Sequence, residues 1–223
     1  MTEKFEVRGV FEKKDRAVFI SHLDLFRTMQ RAMKRSGLPV WYSEGFNPRI
    51  YLNFPLALAL GVESSCEIMD FEIVKQLPYD EMLAAVNNVL PEGIHFVSMA
   101  APVCKNKEIA FSEYEFTLFS DTNSPEVILE SFDSMMSLDK IEAEKHSKKK
   151  GMILIDIKPN INVVSRSISE NGTKLTVRLP AGQELNINSN VFCEALQRYC
   201  GIDDLDISTK RTKILKNNGE LFV

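Results

Sequence analysis

Residues 21–55 read SHLDLFRTMQRAMKRSGLPVWYSEGFNPRIYLNFP and join a cationic helix to an irregular loop that contains glycine, asparagine and proline. At 100° per residue, the helix that starts after Ser21 has one apolar side and one basic side. The apolar side consists of Leu25, Phe26, Met29, Ala32 and Met33. The basic side consists of Arg27, Arg31, Lys34 and Arg35. We expect the apolar side to pack against a core, which leaves the basic side to contact an anion.

The segment after this helix predicts a loop or a bulge. Glycine and asparagine tolerate positive φ, and proline lacks a backbone donor, so the sequence G-F-N-P at 45–48 is unfavourable in a strand. Aromatic side chains alternate with arginine around it, as is typical of surfaces that stack unpaired bases and bind phosphates. These residues are Trp41, Tyr42, Phe46, Arg49 and Tyr51. A plain connector beside a solvated helix face is the alternative interpretation.

The charge of the chain is unevenly distributed. The formal net charge of -4 argues against a protein that covers nucleic acid with its whole surface, but it permits one local basic patch. Residues 1–60 contain ten Lys and Arg against six Asp and Glu, whereas residues 61–98 contain one against seven. The basic patch therefore belongs to the region of the first helix.

The cysteines predict no metal cluster or other cofactor. Cys66, Cys104, Cys193 and Cys200 are never closer than seven residues apart, so CxxC and three-cysteine cluster motifs are missing from the sequence. The three histidines also lack metal-ligand spacing. The N-terminal segment does not resemble a signal peptide, and no run approaches the roughly 18 apolar residues of a membrane span. We expect a cytoplasmic protein with reduced thiols and no membrane contact.

Hydrophobic periodicity predicts the same order of elements in each half of the chain. In the first half we expect strands at 5–9, 40–42, 67–74 and 94–99, with helices from Ser21 and at 79–90. In the second half we expect strands at 114–119, 140–144, 152–157, 163–179 and 205–215, with helices at 125–136 and 190–199. Asn171-Gly172 predicts the turn of a hairpin within 163–179, and Asn190 is the expected cap of the last helix.

The repeated order predicts an α+β protein of two tandem ferredoxin-like (βαββαβ) units, the second with extra strands. The expected domains are 1–102 and 109–223, and residues 101–108 join them.

The first turn of the Ser21 helix carries two further candidates. Ser21 and Asp24 have the spacing of a capping box, which explains both residues without a functional role. His22 falls on the same sector as Met29 and Met33, so a packed histidine at the core edge is one interpretation. A neutral general base in the first turn of the helix is the other.

Several short motifs in order resemble the radical SAM-linked protein family, a bacterial family of unassigned activity found beside or fused to a radical SAM enzyme. The motifs are SHLD at 21–24, RAMKRSGLP at 31–39, SEGFNP at 43–48, PL at 55–56, LGVES at 60–64 and the E-x-x-D pair at 67–70. The resemblance is densest over 19–71. It implies a radical SAM enzyme as a partner, which supplies its own cluster, and an association with RNA metabolism. The family commonly has a histidine directly after G-F-N-P, where this chain has Arg49.

We therefore expect a non-catalytic accessory protein of a radical SAM enzyme that binds RNA or another anionic substrate. The expected binding residues are Arg27, Arg31, Arg35, Gly45, Phe46, Asn47 and Arg49. One alternative is a protein-interaction scaffold that binds no nucleic acid and docks through the acidic segment 63–81. The other is a metal-independent RNA-processing enzyme with His22 as general base.

Overall fold

A computed structural model describes residues 3–147, 151–170 and 172–223. The chain divides into two compact units. The first unit comprises Met1–Glu108 and Leu221–Val223, and the second unit comprises Ile109–Glu220. The boundaries expected from the sequence, 1–102 and 109–223, stay predictions, and the three C-terminal residues contact the first unit.

The first unit contains four strands and two α-helices in the order β-α-β-β-α-β. They are β1 (Phe5–Lys13), α1 (His22–Arg35), β2 (Leu52–Asn53), β3 (Glu63–Ile73), α2 (Tyr79–Asn87) and β4 (Ile94–Ala100). Each strand pairs antiparallel with its neighbours in the spatial order β4-β1-β3-β2. A 3₁₀ turn at Asp15–Phe19 links β1 to α1.

The core of the first unit lies between its helices and one face of its sheet. Met29 and Met33 of α1 and Met82 of α2 are fully buried. They pack in one cluster with Phe11 of β1 and Phe71 of β3. The apolar side of α1 is therefore buried as its periodicity predicts.

The second unit contains six strands and two α-helices among the described residues. Its elements are β5 (Ile109–Phe119), α3 (Pro125–Ser137), β6 (Glu142–Ser147), β7 (Gly151–Asp156), β8 (Asn162–Ser169), β9 (Gly172–Pro180), α4 (Ser189–Cys200) and β10 (Asp206–Lys216). Antiparallel pairs give the spatial order β10-β5-β9-β8, while β6 and β7 pair only with each other among the described residues. The expected α+β class is therefore confirmed.

Two local predictions are corrected. Residues 40–42 form no strand, because only isolated bridges connect Val40 to Ile73 and Tyr42 to Ile50, and the short β2 comes later. The cap of α4 is Asn188, whose Oδ1 accepts from the backbone N–H of Asn190 at 3.1 Å. The hairpin expected at Asn171-Gly172 involves residue 171, which lies outside the described residues, but β8 and β9 pair on either side of it.

A close approach between β1 and β4 requires a glycine. The Phe96 ring lies over Gly9, and a Cβ at this position would come within 2.4 Å of Phe96 Cε1. Phe96 is fully buried and also contacts the ring of Phe11, with the ring centroids 5.3 Å apart. Gly9 thus leaves room for an aromatic side chain at the centre of the core.

We predict that Gly9→Ala lowers the free energy of unfolding by about 1 to 3 kcal/mol, because the new methyl group displaces the Phe96 ring. Urea denaturation measures the change. Gly182→Ala is the control, since a Cβ there would have no neighbour closer than 3.4 Å. Equal stability of the Gly9→Ala variant and the wild type would contradict the packing described.

Candidate functional site

The N-terminus of α1 is capped, and the cap also positions the first basic side chain. Ser21 Oγ accepts from the Asp24 backbone N–H at 3.2 Å, and the Ser21 hydroxyl donates to Asp24 Oδ2 at 2.8 Å. Asp24 Oδ1 accepts from Arg27 Nη1 at 3.2 Å. The hydrogen bond from Ser21, followed by that from Arg27, lowers the pKa of Asp24. Asp24, in the first turn of α1, therefore acts as a structural residue that contacts Arg27 one turn later.

The G-F-N-P segment forms a loop closed at its base by hydrogen bonds. The Ser43 N–H donates to the Arg49 carbonyl at 2.8 Å, and the Arg49 N–H donates to Ser43 Oγ at 3.0 Å. Gly45 has a φ of 122°, which strongly favours glycine. Gln30 of α1 donates through Nε2 to the Ile50 carbonyl at 3.4 Å. This contact connects the basic helix to the base of the loop.

Between α1 and this loop lies an open groove of about 390 Å³, which we call the basic groove. Its lining consists of Arg27, Gln30, Arg31, Lys34, Tyr42, Pro48, Arg49 and Ile50. Three of its cations come from α1 and the fourth from the loop. In the described part of the chain, the only carboxylate within 4.0 Å of these cations is that of Asp24, which pairs with Arg27. The groove therefore carries excess positive charge.

The expected binding residues divide into three groups. Arg27, Arg31 and Arg49 line the basic groove together, and Lys34 joins them. Arg35 instead donates through Nη2 to the Val89 carbonyl at 2.8 Å and fastens α1 to the segment after α2. Gly45, Phe46 and Asn47 are exposed beyond the groove lining, and the Phe46 side chain is fully exposed.

His22 is exposed and lies beside Phe54, a ring that packs against the core cluster. It is the first residue of α1, and the buried side chains of this helix begin at Leu25, almost one turn later. The His22 ring meets the edge of Phe54, with the ring centroids 5.6 Å apart. His22 is not among the residues that line the basic groove.

A second cavity of the first unit surrounds a buried arginine, and we call it the Arg8 cavity. It has a volume of about 380 Å³. The Arg8 side chain is only 3% exposed and forms a two-point ion pair with Asp70, with Nε to Oδ1 at 2.7 Å and Nη2 to Oδ2 at 3.1 Å. Burial opposes the charge of Arg8, but the hydrogen bond and charge of Asp70 outweigh it and raise the Arg8 pKa.

Three further residues complete the surroundings of Arg8. Its Nη1 donates to Cys104 Sγ at 3.2 Å, and its Nη2 donates to Asn106 Oδ1 at 3.2 Å. The guanidinium carbon lies 4.4 Å from the centroid of the buried Phe222 ring. Sequence reasoning missed this cavity, although Arg8 and Asp70 each interrupt apolar residues within a strand.

Other site types find no support among the residues that the structure describes. No group of three His, Cys, Asp or Glu side chains is placed to hold a metal ion there. The four cysteines are free thiols. No helix in the described ranges is long and apolar enough to cross a membrane.

These features define an α+β protein whose first unit carries a basic groove and a cavity around a buried arginine. Residues 6–189 match the sequence model of a family described as "Uncharacterized protein conserved in bacteria (DUF2344)", and the chain belongs to this family. The resemblance to a bacterial family without an assigned activity is thus confirmed, whereas the link to a radical SAM enzyme stays a prediction.

Two other comparisons add no functional information. No curated protein matches the chain significantly. The crystal structure of an unknown protein from Galdieria sulphuraria aligns with 94% of this chain and 99% of its own, at 12% sequence identity and a TM-score of 0.27. At this TM-score the alignment does not establish a shared fold.

We predict that Asp70→Ala lowers the free energy of unfolding by about 3 to 5 kcal/mol, because it leaves the buried Arg8 charge unpaired. The double variant Arg8→Met/Asp70→Leu should lose less, since it removes both charges. Glu6→Ala is the control, because Glu6 is exposed on the same strand as Arg8. Urea denaturation of all three variants measures the effect, and equal losses for the single and double variants would contradict it.

Proposed function

We propose that this protein is a non-catalytic module that binds single-stranded RNA through the basic groove. The observation that carries the proposal is the convergence of Arg31 and Lys34 of α1 with Arg49 of the loop on one groove. None of these three side chains has a carboxylate partner among the described residues. An anionic ligand supplies the missing counter-charge.

The form of the groove favours a phosphate backbone over a small anion. It is open, and its cations come from two chain segments rather than from one enclosed pocket. Arginine binds phosphate through two parallel N–H donors, and lysine adds a point charge. A row of such contacts fits a backbone with repeated phosphates.

Aromatic side chains at the groove support an unpaired strand as the ligand. Tyr42 lines the groove and is 41% exposed, and Phe46 projects from the loop tip into solvent. An exposed aromatic ring is costly in water, and it becomes favourable when a base stacks on it. Single-stranded RNA presents such bases, whereas a duplex keeps them stacked.

The fold is consistent with this role. The first unit has a β-α-β-β-α-β order, and the second has the same order when β6 and β7 are set aside. In both, the first and third of these four strands occupy the centre of the spatial order 4-1-3-2. We interpret each unit as ferredoxin-like, with the β6–β7 hairpin inserted into the second.

The RNA-processing alternative gains no support, because His22 is outside the groove lining.

We predict salt-dependent binding of a fluorescent single-stranded 12-mer RNA, measured by anisotropy. Neutralising three phosphates gives a slope of log affinity against log salt of about -2. Arg31→Glu/Arg49→Glu should weaken binding more than tenfold and make the slope shallower. The control Lys75→Glu/Lys107→Glu makes the same change in net charge with residues outside the groove lining. Absence of RNA binding at low salt, or equal losses of RNA affinity in both double variants, would contradict the proposal.

The proposed partner is a radical SAM enzyme, on the basis of the sequence resemblance. If the protein presents RNA to that enzyme, the two should co-purify from cells that express both, with the partner identified by mass spectrometry. Arg31→Glu/Arg49→Glu should still co-purify but without bound RNA, because the groove binds the RNA and not the enzyme. Co-purification of the enzyme with both the wild type and the variant, and of RNA with neither, would instead favour a scaffold that binds no nucleic acid.

A further inference from the structure

The Arg8 cavity lies on the face of the β1–β3 sheet that points away from the helices. Val7 and Phe71 pair across β1 and β3 and are buried in the core, so their neighbours Arg8 and Asp70 point to the opposite face. Tyr51, Asn53 and Asn106 also line this cavity. The face therefore carries an arrangement of polar side chains that the core does not require.

The Arg8–Asp70 ion pair orients two amide side chains in opposite directions. A carboxylate only accepts hydrogen bonds, so Asn53 must present its Nδ2 to Asp70 Oδ2, 3.5 Å away. A guanidinium only donates, so Asn106 must present its Oδ1 to Arg8. Asn53 Oδ1 and Asn106 Nδ2 have no hydrogen-bond partner within the described ranges. The cavity thus offers one fixed acceptor and one fixed donor.

Tyr51 supplies an aromatic surface beside these amides. Its side chain is 44% exposed and lies edge-on to Trp41, with the ring centroids 6.2 Å apart. A planar ligand that stacks on Tyr51 would enter the cavity with its edge available to the amides. A stacking ring beside a donor and an acceptor is the usual composition of a base-recognition site.

The cavity differs from the basic groove in charge. Arg8 pairs with Asp70, and Lys4 Nζ lies 3.2 Å from Glu72 Oε2, so most charges in and around the cavity are balanced. The Lys4 contact lacks hydrogen-bond geometry, and Glu72 Oε2 is a buried acceptor without a hydrogen bond in the described part of the chain. A phosphate therefore favours the groove, whereas a neutral ligand with N–H donors favours the cavity.

One short segment borders both the basic groove and the Arg8 cavity. Arg49 and Ile50 line the basic groove, and Tyr51 and Asn53 line the Arg8 cavity. From Arg49 to Asn53 there are four steps along the chain, which span at most about 14 Å when fully extended. A single RNA strand with phosphates in the groove can therefore place a neighbouring base on Tyr51.

From this arrangement we infer that the Arg8 cavity is a nucleobase pocket that prefers adenine and cytosine, in which an exocyclic amine lies beside a ring acceptor, over uracil. The inference rests on the proposed RNA binding and specifies which bases of the bound RNA the protein recognises. Adenine and cytosine donate the two N–H groups of their amine to Asn53 Oδ1 and to the exposed Glu6 carboxylate, and their ring nitrogens accept from Asn106 Nδ2. Uracil has one ring N–H between two carbonyl oxygens, so it cannot donate to both acceptors at once, and it brings a carbonyl oxygen next to the Glu6 carboxylate, which disfavours it.

The test compares single-stranded hexanucleotides of adenosine, cytidine, uridine and abasic residues at one salt concentration. The abasic strand keeps the phosphates and lacks the bases, so it isolates groove binding. We expect the adenosine and cytidine strands to bind about tenfold more tightly than the other two. In Asn53→Ala and Asn106→Ala this preference should fall to near unity with an unchanged salt slope, while Asn88→Ala, outside both cavities, should behave as wild type. Thermal unfolding verifies that each variant is folded.

Trp41 is the only tryptophan of the chain and provides a second readout. Free adenosine and cytidine, which carry no phosphate, should change its fluorescence at millimolar concentration, and uridine should not. Equal affinity for all four strands would contradict the nucleobase pocket, and so would a base preference that persists in both asparagine variants. Either result would leave RNA binding by the basic groove intact. If no strand binds, the proposed function fails, and the free nucleosides then decide the pocket: a response to adenosine and cytidine supports it, and no response overturns it.

Discussion

The antiparallel register between β1 and β3 determines both faces of the first unit. It pairs Val7 with Phe71 toward the helices and Arg8 with Asp70 on the opposite face. Because side chains alternate along a strand, a slip of one residue would place Arg8 in the apolar core and Val7 in the polar cavity. The buried ion pair and the apolar pairs therefore enforce the same register, and the Arg8 cavity is a direct consequence of it.

The position of the basic groove follows from the packing of α1 on this sheet. Met29 and Met33 are fully buried, so the helix cannot rotate without exposing them. Arg31 and Lys34 are therefore held toward solvent, beside the loop that carries Arg49. The contact from Gln30 to the Ile50 carbonyl keeps the two sides of the groove together. Core packing and ligand recognition thus use opposite sides of the same helix.

Local patterns in the sequence predicted much of this arrangement. The period of α1 correctly separates its buried and basic sides, and the chemistry of G-F-N-P correctly predicts a loop. The contacts and exposure of side chains at the two ends of α1 were harder to predict. Arg35 belongs to the basic sector but bonds to the Val89 carbonyl, 54 positions later in the chain. His22 shares the sector of Met29, yet it is exposed because it precedes the part of the helix that covers the core. The angular position of a residue on a helix does not show how far the core extends along that helix.

By itself, the sequence determined the α+β class, the amphipathic helix and the irregular loop, because each depends on residues close together in the chain. Only the tertiary structure decided which cations share a groove, since Arg31 and Arg49 meet through the fold of the segment between them. It also decided the pairing of Arg8 with Asp70, 62 positions apart, and with it the opposite orientations of Asn53 and Asn106. The energy of a buried charge depends on its partner, and strand register brings that partner into contact.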